Sequence, residues 1–186
     1  MAVKTMSKNT GTGQYNAGWH ELTISKAVDG KWNDKRTIDL NFENYPDNMN
    51  HRVFEASNKT TGEEFKIANL FRFACAGIIS VLQDPTGKNP VIQYDDEVTN
   101  LIGTRINVFF VKTISKTDGN EYSKTFDLVP VVQETEHLTW TDDDVARLKN
   151  NVEKQHAKKI ATTTNGVGTV TLDTTTTVTG DAEIPF

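Results

Sequence analysis

The chain has 186 residues, a length that suits one domain with a substantial core and leaves little room for a second. Its hydrophobic share of 36% is low for a globular domain, and its net charge of −5 argues at first against a nucleic-acid partner. A single cysteine, Cys75, excludes an internal disulfide framework and a cysteine-built zinc site. Without a secretory signal or a membrane-spanning apolar run, we expect an intracellular protein.

The negative charge is unevenly distributed along the chain. Residues 1–133 carry 15 Lys and Arg against 16 Asp and Glu, whereas residues 134–186 carry 5 against 9. A nearly neutral body is able to present a basic groove. The composition therefore permits nucleic-acid binding but does not predict it.

The first third of the chain reads as an arm followed by three strands. Residues 1–17 are polar and predict a flexible N-terminal arm. Alternation of apolar and polar residues predicts a first strand from Gly18 and a second over residues 37–43, with turn formers at Val28–Asp34 between them. A short third strand is predicted over Arg52–Ala56.

The middle of the chain predicts one helix and two further strands. Apolar residues recur at three- and four-residue spacing over Glu63–Leu82, which predicts a helix that buries Cys75. Alternation then predicts strands over Thr104–Ile114 and Tyr122–Val132. An Asp-Gly pair within residues 116–120 predicts the hairpin turn that joins them.

This order favours a mainly β fold, an OB-fold over residues 18–133. Such a fold is a five-stranded Greek-key barrel, here with its helix between strands 3 and 4. An open α+β sheet with the same element order is the alternative. Residues 134–160 predict a helical extension, capped by Thr141, whose thin apolar stripe makes it either a marginal helix or one that docks on the body or on a partner. Residues 161–186 predict a flexible, disordered tail, since ten of residues 162–179 are threonine.

The last residues of the chain form an acidic and apolar peptide. A carboxylate pair is followed by Ile-Pro-Phe, and together these residues resemble the C-terminal tip of bacterial single-stranded-DNA-binding proteins, although that family usually has a longer acidic run. The resemblance implies a tip that is captured by partner proteins, with the Phe ring and the terminal carboxylate as its anchor. The candidate partner-binding residues are Asp181, Glu183, Ile184, Pro185 and Phe186.

The body resembles, more weakly, a group of phage single-stranded-DNA-binding proteins. The matching residues are Ala17, Gly18 and Trp19 at the first strand, and Leu101–Gly103 before the fourth. The resemblance implies a non-enzymatic protein, without a cofactor, that coats single-stranded DNA during phage replication and recombination. It would act in the cytoplasm of the bacterial host and recruit replication proteins through its tip, and it is compatible with a homo-oligomer.

Single-strand binding requires aromatic rings on which bases stack and cations that follow the phosphates. Trp32 is the leading candidate, because it lies among cations in a predicted turn, and Trp19 lies on the polar face of the first strand. For Phe54 and Tyr122 we favour core packing over stacking. The full candidate set is Trp19, Lys31, Trp32, Lys35, Arg36, Tyr45, Arg52, Phe54, Lys112, Lys116, Tyr122 and Lys124.

Two other classes of function are open at this point. Asp95, Asp96 and Glu97 are potential metal ligands of a nuclease or resolvase, although consecutive carboxylates more often form a solvated loop. The four histidines have no metal-ligand spacing. The threonine-rich tail would also suit a virion or scaffold protein.

Overall fold

A computed structural model describes residues 15–83, 90–115 and 117–164 of the chain. Its regular elements are nine strands and two helices, with one turn of 3₁₀ helix at Val98–Leu101. In chain order they are β1 (Gly18–Trp32), β2 (Lys35–Phe42), β3 (His51–Phe54), α1 (Lys66–Ala74), β4 (Ile78–Gln83), β5 (Pro90–Tyr94), β6 (Arg105–Ile114), β7 (Glu121–Val129), β8 (Gln133–Glu134), β9 (Thr139–Trp140) and α2 (Asp142–Thr164).

The body is a five-stranded antiparallel sheet in the order β3-β2-β1-β6-β7. The long strand β1 serves both halves of this sheet. Its first part, Gly18–Thr23, pairs with β6, and its second part, from Ile24 to Trp32, pairs with β2. The register shifts between Ile24 and Lys26, which is a β-bulge that bends the strand and lets it change partners.

The turn between β1 and β2 is shorter than the sequence predicts. Val28–Asp34 was expected to be a turn, but pairing continues to Trp32 opposite Lys35, and only Asn33 and Asp34 form the turn. Both residues have positive φ, 46° and 64°. Asn and Asp are the residues that tolerate this conformation best after glycine, and two such residues in sequence suit the twist of a tight hairpin.

The predicted helix over Glu63–Leu82 is wrong beyond Ala74. The chain leaves the helix at Cys75, a half-buried residue in the left-handed region (φ 49°), and the next turn is made by Gly77. A Cβ on Gly77 would lie 2.3 Å from the carbonyl oxygen of Asp95, so only glycine fits there. The residues that follow form β4, which pairs with β5 in a separate hairpin, because β-branched side chains favour strands.

The main core lies between α1 and one face of the sheet. Alternate residues of β1, β2 and β6 point inward, and α1 contributes its apolar face. This inward alternation is the pattern from which the strands were predicted. The most deeply buried members of this core are Ile24, Ile38, Leu40, Phe42, Phe71, Leu101, Ile106, Val108 and Phe110.

The helix α2 lies on the body and contacts β7. It begins directly after Thr141, as predicted: the amide of Asp144 donates to Thr141 Oγ1 (3.2 Å), and the amide of Thr141 donates to Asp144 Oδ2 (3.4 Å). Val145 and Val152 are buried, so its thin apolar stripe docks on the body. In the described part of the chain, no helix is long and apolar enough to cross a bilayer.

The fold is mainly β, as predicted, and its principal sheet has five strands. The sheet is not closed into a barrel within the described residues, because β3 and β7 remain at its two edges. The edges do approach each other, and the Thr125 hydroxyl donates a 2.9 Å hydrogen bond to the carbonyl oxygen of Asn50. The β4–β5 hairpin, which the sequence did not predict, lies between α1 and β6 in chain order.

Candidate nucleic-acid interface

A groove of about 690 Å³ runs between the two edges of the sheet. One wall is made by the β2–β3 loop and β3, and the other by β7. These strands pair on one side only within the described structure, and the hydrogen bond from Thr125 to Asn50 crosses between the two walls. It is lined by Pro46, Asn48, Met49, Asn50, Arg52, Phe54, Tyr122, Ser123, Lys124 and Thr125.

Two aromatic side chains line this groove from opposite walls. Phe54 on β3 is 43% exposed and Tyr122 on β7 is 42% exposed. The expectation that both pack in the core is therefore wrong. Phe54 is the last residue of β3, and Tyr122 is near the start of β7, next to the β6–β7 turn. These positions leave large apolar surfaces in solvent, where a stacking partner would remove them from water.

The cations of the groove differ in how they are held. Arg52 forms a bidentate pair with Asp39 on the neighbouring strand, with Nε–Oδ1 and Nη2–Oδ2 distances of 2.6 and 2.7 Å. This pair raises the pKa of Arg52 above its usual value. Lys124 is exposed and forms no ion pair with the described residues. Arg52 is thus oriented by its partner, whereas Lys124 contributes a positive charge that no carboxylate pairs with in the described part of the chain.

The tip of the β1–β2 hairpin carries the third exposed ring. Trp32 is 56% exposed and lies opposite Lys35, which forms no ion pair with the described residues. Lys31 forms only a solvent-exposed pair with Asp34, at 3.4 Å. Since Phe54 pairs with Thr37 on β2, two residues from Lys35, the hairpin tip begins about 7 Å along the sheet from the groove.

The guanidinium charge of Arg36 is paired within the protein and is not available to a ligand. Its guanidinium forms ion pairs with Asp29 on β1, at 2.8 Å, and with Asp96 in the segment after β5. These hydrogen bonds raise the pKa of Arg36 above its usual value, although burial opposes the shift. Asp96 is thereby engaged, and the described residues contain no group of three or more His, Cys, Asp or Glu that could hold a metal ion.

Two further candidates are engaged inside the body. Tyr45 packs between Tyr15 and Phe110, with ring centroids 4.7 and 5.5 Å away, and burial raises the pKa of its hydroxyl. Lys112 is half-buried and lies 3.7 Å from Glu121. Neither side chain is among those that line the groove.

Trp19 lies outside the lining of the groove, beneath α2. Its ring contacts Phe109 at 4.9 Å, and its indole N–H donates a 2.7 Å hydrogen bond to Glu153 Oε1. The ammonium group of Lys149 lies 5.4 Å from the ring centroid. A residue predicted to meet DNA is thus used to hold the C-terminal helix.

Sequence reasoning missed the polar wall of the groove. Asn48 and Asn50 come from a segment that was interpreted only as a turn, and Ser123 and Thr125 come from β7. The signal that was available is the cluster of asparagines after the second strand, since amides bind bases and phosphates as well as forming turns.

His51 begins β3 at the same edge of the sheet. Burial lowers the pKa of its imidazole to about 4; Lys66 acts in the same direction, and Asp127 opposes the shift. The ring is therefore neutral at physiological pH, which makes this edge sensitive to acid.

Lys116 and the terminal residues Asp181, Glu183, Ile184, Pro185 and Phe186 lie outside the described residues.

Comparison with known proteins adds no relative to this description. No protein-family model matches the chain, and no curated protein matches it significantly.

Proposed function

We propose that this chain binds single-stranded DNA in the groove between β3 and β7, without catalysing a reaction. One observation carries the proposal: folding brings Arg52, Phe54, Tyr122 and Lys124 from distant parts of the chain into a single open groove. Aromatic rings that alternate with cations are the combination that unpaired bases and their phosphates require.

The order of contacts along the strand follows from the geometry of the site. Bases stack on Tyr122 and Phe54 from the two walls, and Trp32 takes the next base along the sheet. Each stacked base contributes about 1 to 3 kcal/mol. Lys124 and Lys35 neutralise phosphates, and the asparagines of the β2–β3 loop donate to phosphate or base oxygens.

We propose that an OB-fold supports this function. The sheet order β3-β2-β1-β6-β7 is that of a five-stranded barrel opened between its third and fifth strands, with α1 after the third. Such barrels are often only partly closed, and they bind oligonucleotides on strands 2 and 3 and on the loops after strands 1 and 4. Here these correspond to β2, β3, the Trp32 hairpin and the β6–β7 turn. The β4–β5 hairpin is then an insertion between the helix and the fourth barrel strand.

The biological setting is proposed on the sequence resemblances alone. The protein coats single strands during phage replication and recombination in the cytoplasm of a bacterial host. Its C-terminal tip recruits replication or recombination proteins through Ile184, Pro185 and Phe186.

The direct test is quenching of tryptophan fluorescence by oligo-dT at two salt concentrations. The chain has three tryptophans: Trp140 is buried, Trp19 lies beneath α2, and Trp32 is exposed. We expect quenching that weakens as salt rises and that disappears in Trp32→Phe, whereas the matched control Trp19→Phe retains it.

Two results would count against the proposal. Absence of binding to oligo-dT in dilute buffer would overturn the function. Quenching that persists in Trp32→Phe would remove the β1–β2 hairpin from the binding surface.

A further inference from the structure

The β4–β5 hairpin is a small apolar ribbon that stands apart from the five-stranded sheet. Its two strands pair with each other and with no other described strand, so each has a second edge that the described structure leaves open. The chain enters and leaves the ribbon through a tight junction, where the amide of Asp95 donates to the carbonyl oxygen of Gly77 at 2.8 Å. The ribbon is therefore fixed at its base.

Only part of the ribbon is covered by the body. Ile78, Ile92 and Tyr94 face α1 across a small cavity of about 70 Å³, and Tyr94 contacts the ring of Phe71 at 5.4 Å. Away from this contact, Ile79, Leu82 and Val91 are 60%, 50% and 50% exposed. Leu82 and Val91 are paired across the two strands and so form one continuous apolar surface.

The ribbon also lacks the charges that normally protect a strand edge. Residues 78–83 and 90–94 contain no Asp, Glu, Lys, Arg or His. By contrast, the edge strand β3 carries Arg52, and the edge strand β7 carries Lys124 and Asp127. Charged residues discourage pairing with another chain, and an uncharged, apolar edge invites it. Pro90 blocks part of the edge of β5, which leaves β4 as the edge suited to pairing.

From this arrangement we propose that the β4 edge is the contact through which two copies of this chain form a dimer. The absence of charged residues on the ribbon indicates which partner pairs with the β4 edge. A nucleic acid needs cations on the surface that receives it, and the acidic C-terminal peptide of this chain needs them too. A second ribbon brings the same neutral edge and the same exposed side chains. Antiparallel pairing of β4 with its copy about a two-fold axis makes one four-stranded sheet and buries the side chains of Ile79 and Leu82 from both copies.

The test is sedimentation of the full chain over a range of concentrations, compared with the variant Ile79→Lys, Leu82→Lys. We expect a wild-type dimer at micromolar concentration and a variant monomer with an unchanged circular dichroism spectrum. The control is Val28→Lys, Ile114→Lys, which adds the same charge at exposed apolar positions on β1 and β6 and should leave the dimer intact.

Three outcomes would overturn the proposal: a wild-type monomer at concentrations up to about 1 mM, a dimer that survives in the ribbon variant, or a control that dissociates equally. Loss of oligo-dT binding in the ribbon variant without any change in its mass would identify nucleic acid as the occupant instead, and would also reject the dimer.

A second measurement avoids dependence on a variant that fails to fold. Amide hydrogen exchange of the wild-type chain should slow in residues 78–83 as protein concentration rises, while residues 51–54 of β3 remain unchanged. Exchange in β4 that does not depend on concentration would refute the dimer. This dimer does not rest on DNA binding, so the oligo-dT experiment and these measurements can fail separately.

Discussion

Aromatic rings and cations occur together in two regions of this molecule, and the two regions differ in what covers them. In the groove between β3 and β7, Phe54 and Tyr122 are exposed beside Lys124. In the second region, the rings of Trp19 and Phe109 lie beneath α2, and the ammonium group of Lys149 lies over the indole. The same residue types thus form an open surface in one region and an internal contact in the other.

The comparison teaches that this composition alone does not identify a stacking surface. On the α2 side, His156 fills the space between Phe109 and Phe126, with ring centroids 5.6 and 4.8 Å away, and leaves no room for a base. In the groove no described element occupies the corresponding position. The two regions therefore predict different consequences of removing a ring: lost binding in one and lost stability in the other.

The largest expected effect is on the groove. Phe54→Ala together with Tyr122→Ala should weaken binding to oligo-dT by about 2 to 6 kcal/mol, because two stacked bases lose their platforms. Fluorescence anisotropy of a labelled oligonucleotide measures the change. The free energy of unfolding should fall by less than for two buried rings, since both rings are over 40% exposed. Affinity within twofold of wild type would remove these rings from the binding surface.

The converse is expected beneath α2. Trp19→Ala removes a ring that packs on Phe109 and bonds to Glu153, so it should lower the free energy of unfolding by about 2 to 3 kcal/mol, less than for a fully buried tryptophan. Urea denaturation measures this loss. Affinity for oligo-dT should stay within about twofold of wild type, provided that the variant is folded. A large loss of affinity in the folded variant would show that the two regions are not separate.

Acid should lower the free energy of unfolding through His51, which lies on β3 at the groove. Because burial lowers the pKa of His51 to about 4, the unfolded state binds this proton more readily between pH 6.5 and 4, and stability falls as pH drops through that range. We expect a loss of about 1 to 2 kcal/mol between pH 7.5 and 5, measured by urea denaturation. His51→Gln should flatten this dependence; an equally steep dependence in the variant would assign the effect to other groups.

The smallest effect concerns a single charge. Lys124→Ala should lower the slope of log affinity against log salt concentration by about 0.7, the value for one phosphate contact on a single strand. Lys149→Ala is the matched control, because that ammonium group lies over Trp19 and does not line the groove. Its slope should equal that of wild type. An equal decrease in both variants would indicate a general charge effect without a specific contact.

Much of the fold could be predicted from the sequence, because burial on one face imposes an alternating pattern. The inward residues of β2, Ile38, Leu40 and Phe42, are examples. The helix prediction failed past Ala74, since the apolar spacing of Ile78, Ile79 and Leu82 fits a helix as well as a ribbon. The contact that decides between helix and ribbon is the close approach of Asp95 to Gly77, and these two residues are well separated in the sequence.

The candidate site could be predicted only in part, for a similar reason. Phe54 and Tyr122 are exposed, as a stacking role requires. The local sequence around each ring nevertheless favours core packing. Their exposure follows from the failure of β3 and β7 to pair, which depends on the whole sheet. The role of Trp19 depends on a helix more than a hundred residues away. Contacts at such separation leave no periodic signal.

The continuity of strand β1 affects how the groove between β3 and β7 can open. Its bulge at Ile24–Lys26 divides it between β6 and β2, so that the two halves of the sheet share one continuous strand. The backbone of Ile24 marks the crossing point, bonded to both Gly103 and Thr104. The two walls of the groove are therefore hinged on one continuous backbone. Bending of β1 at that point would change the width of the groove while the strand pairings on either side are left intact.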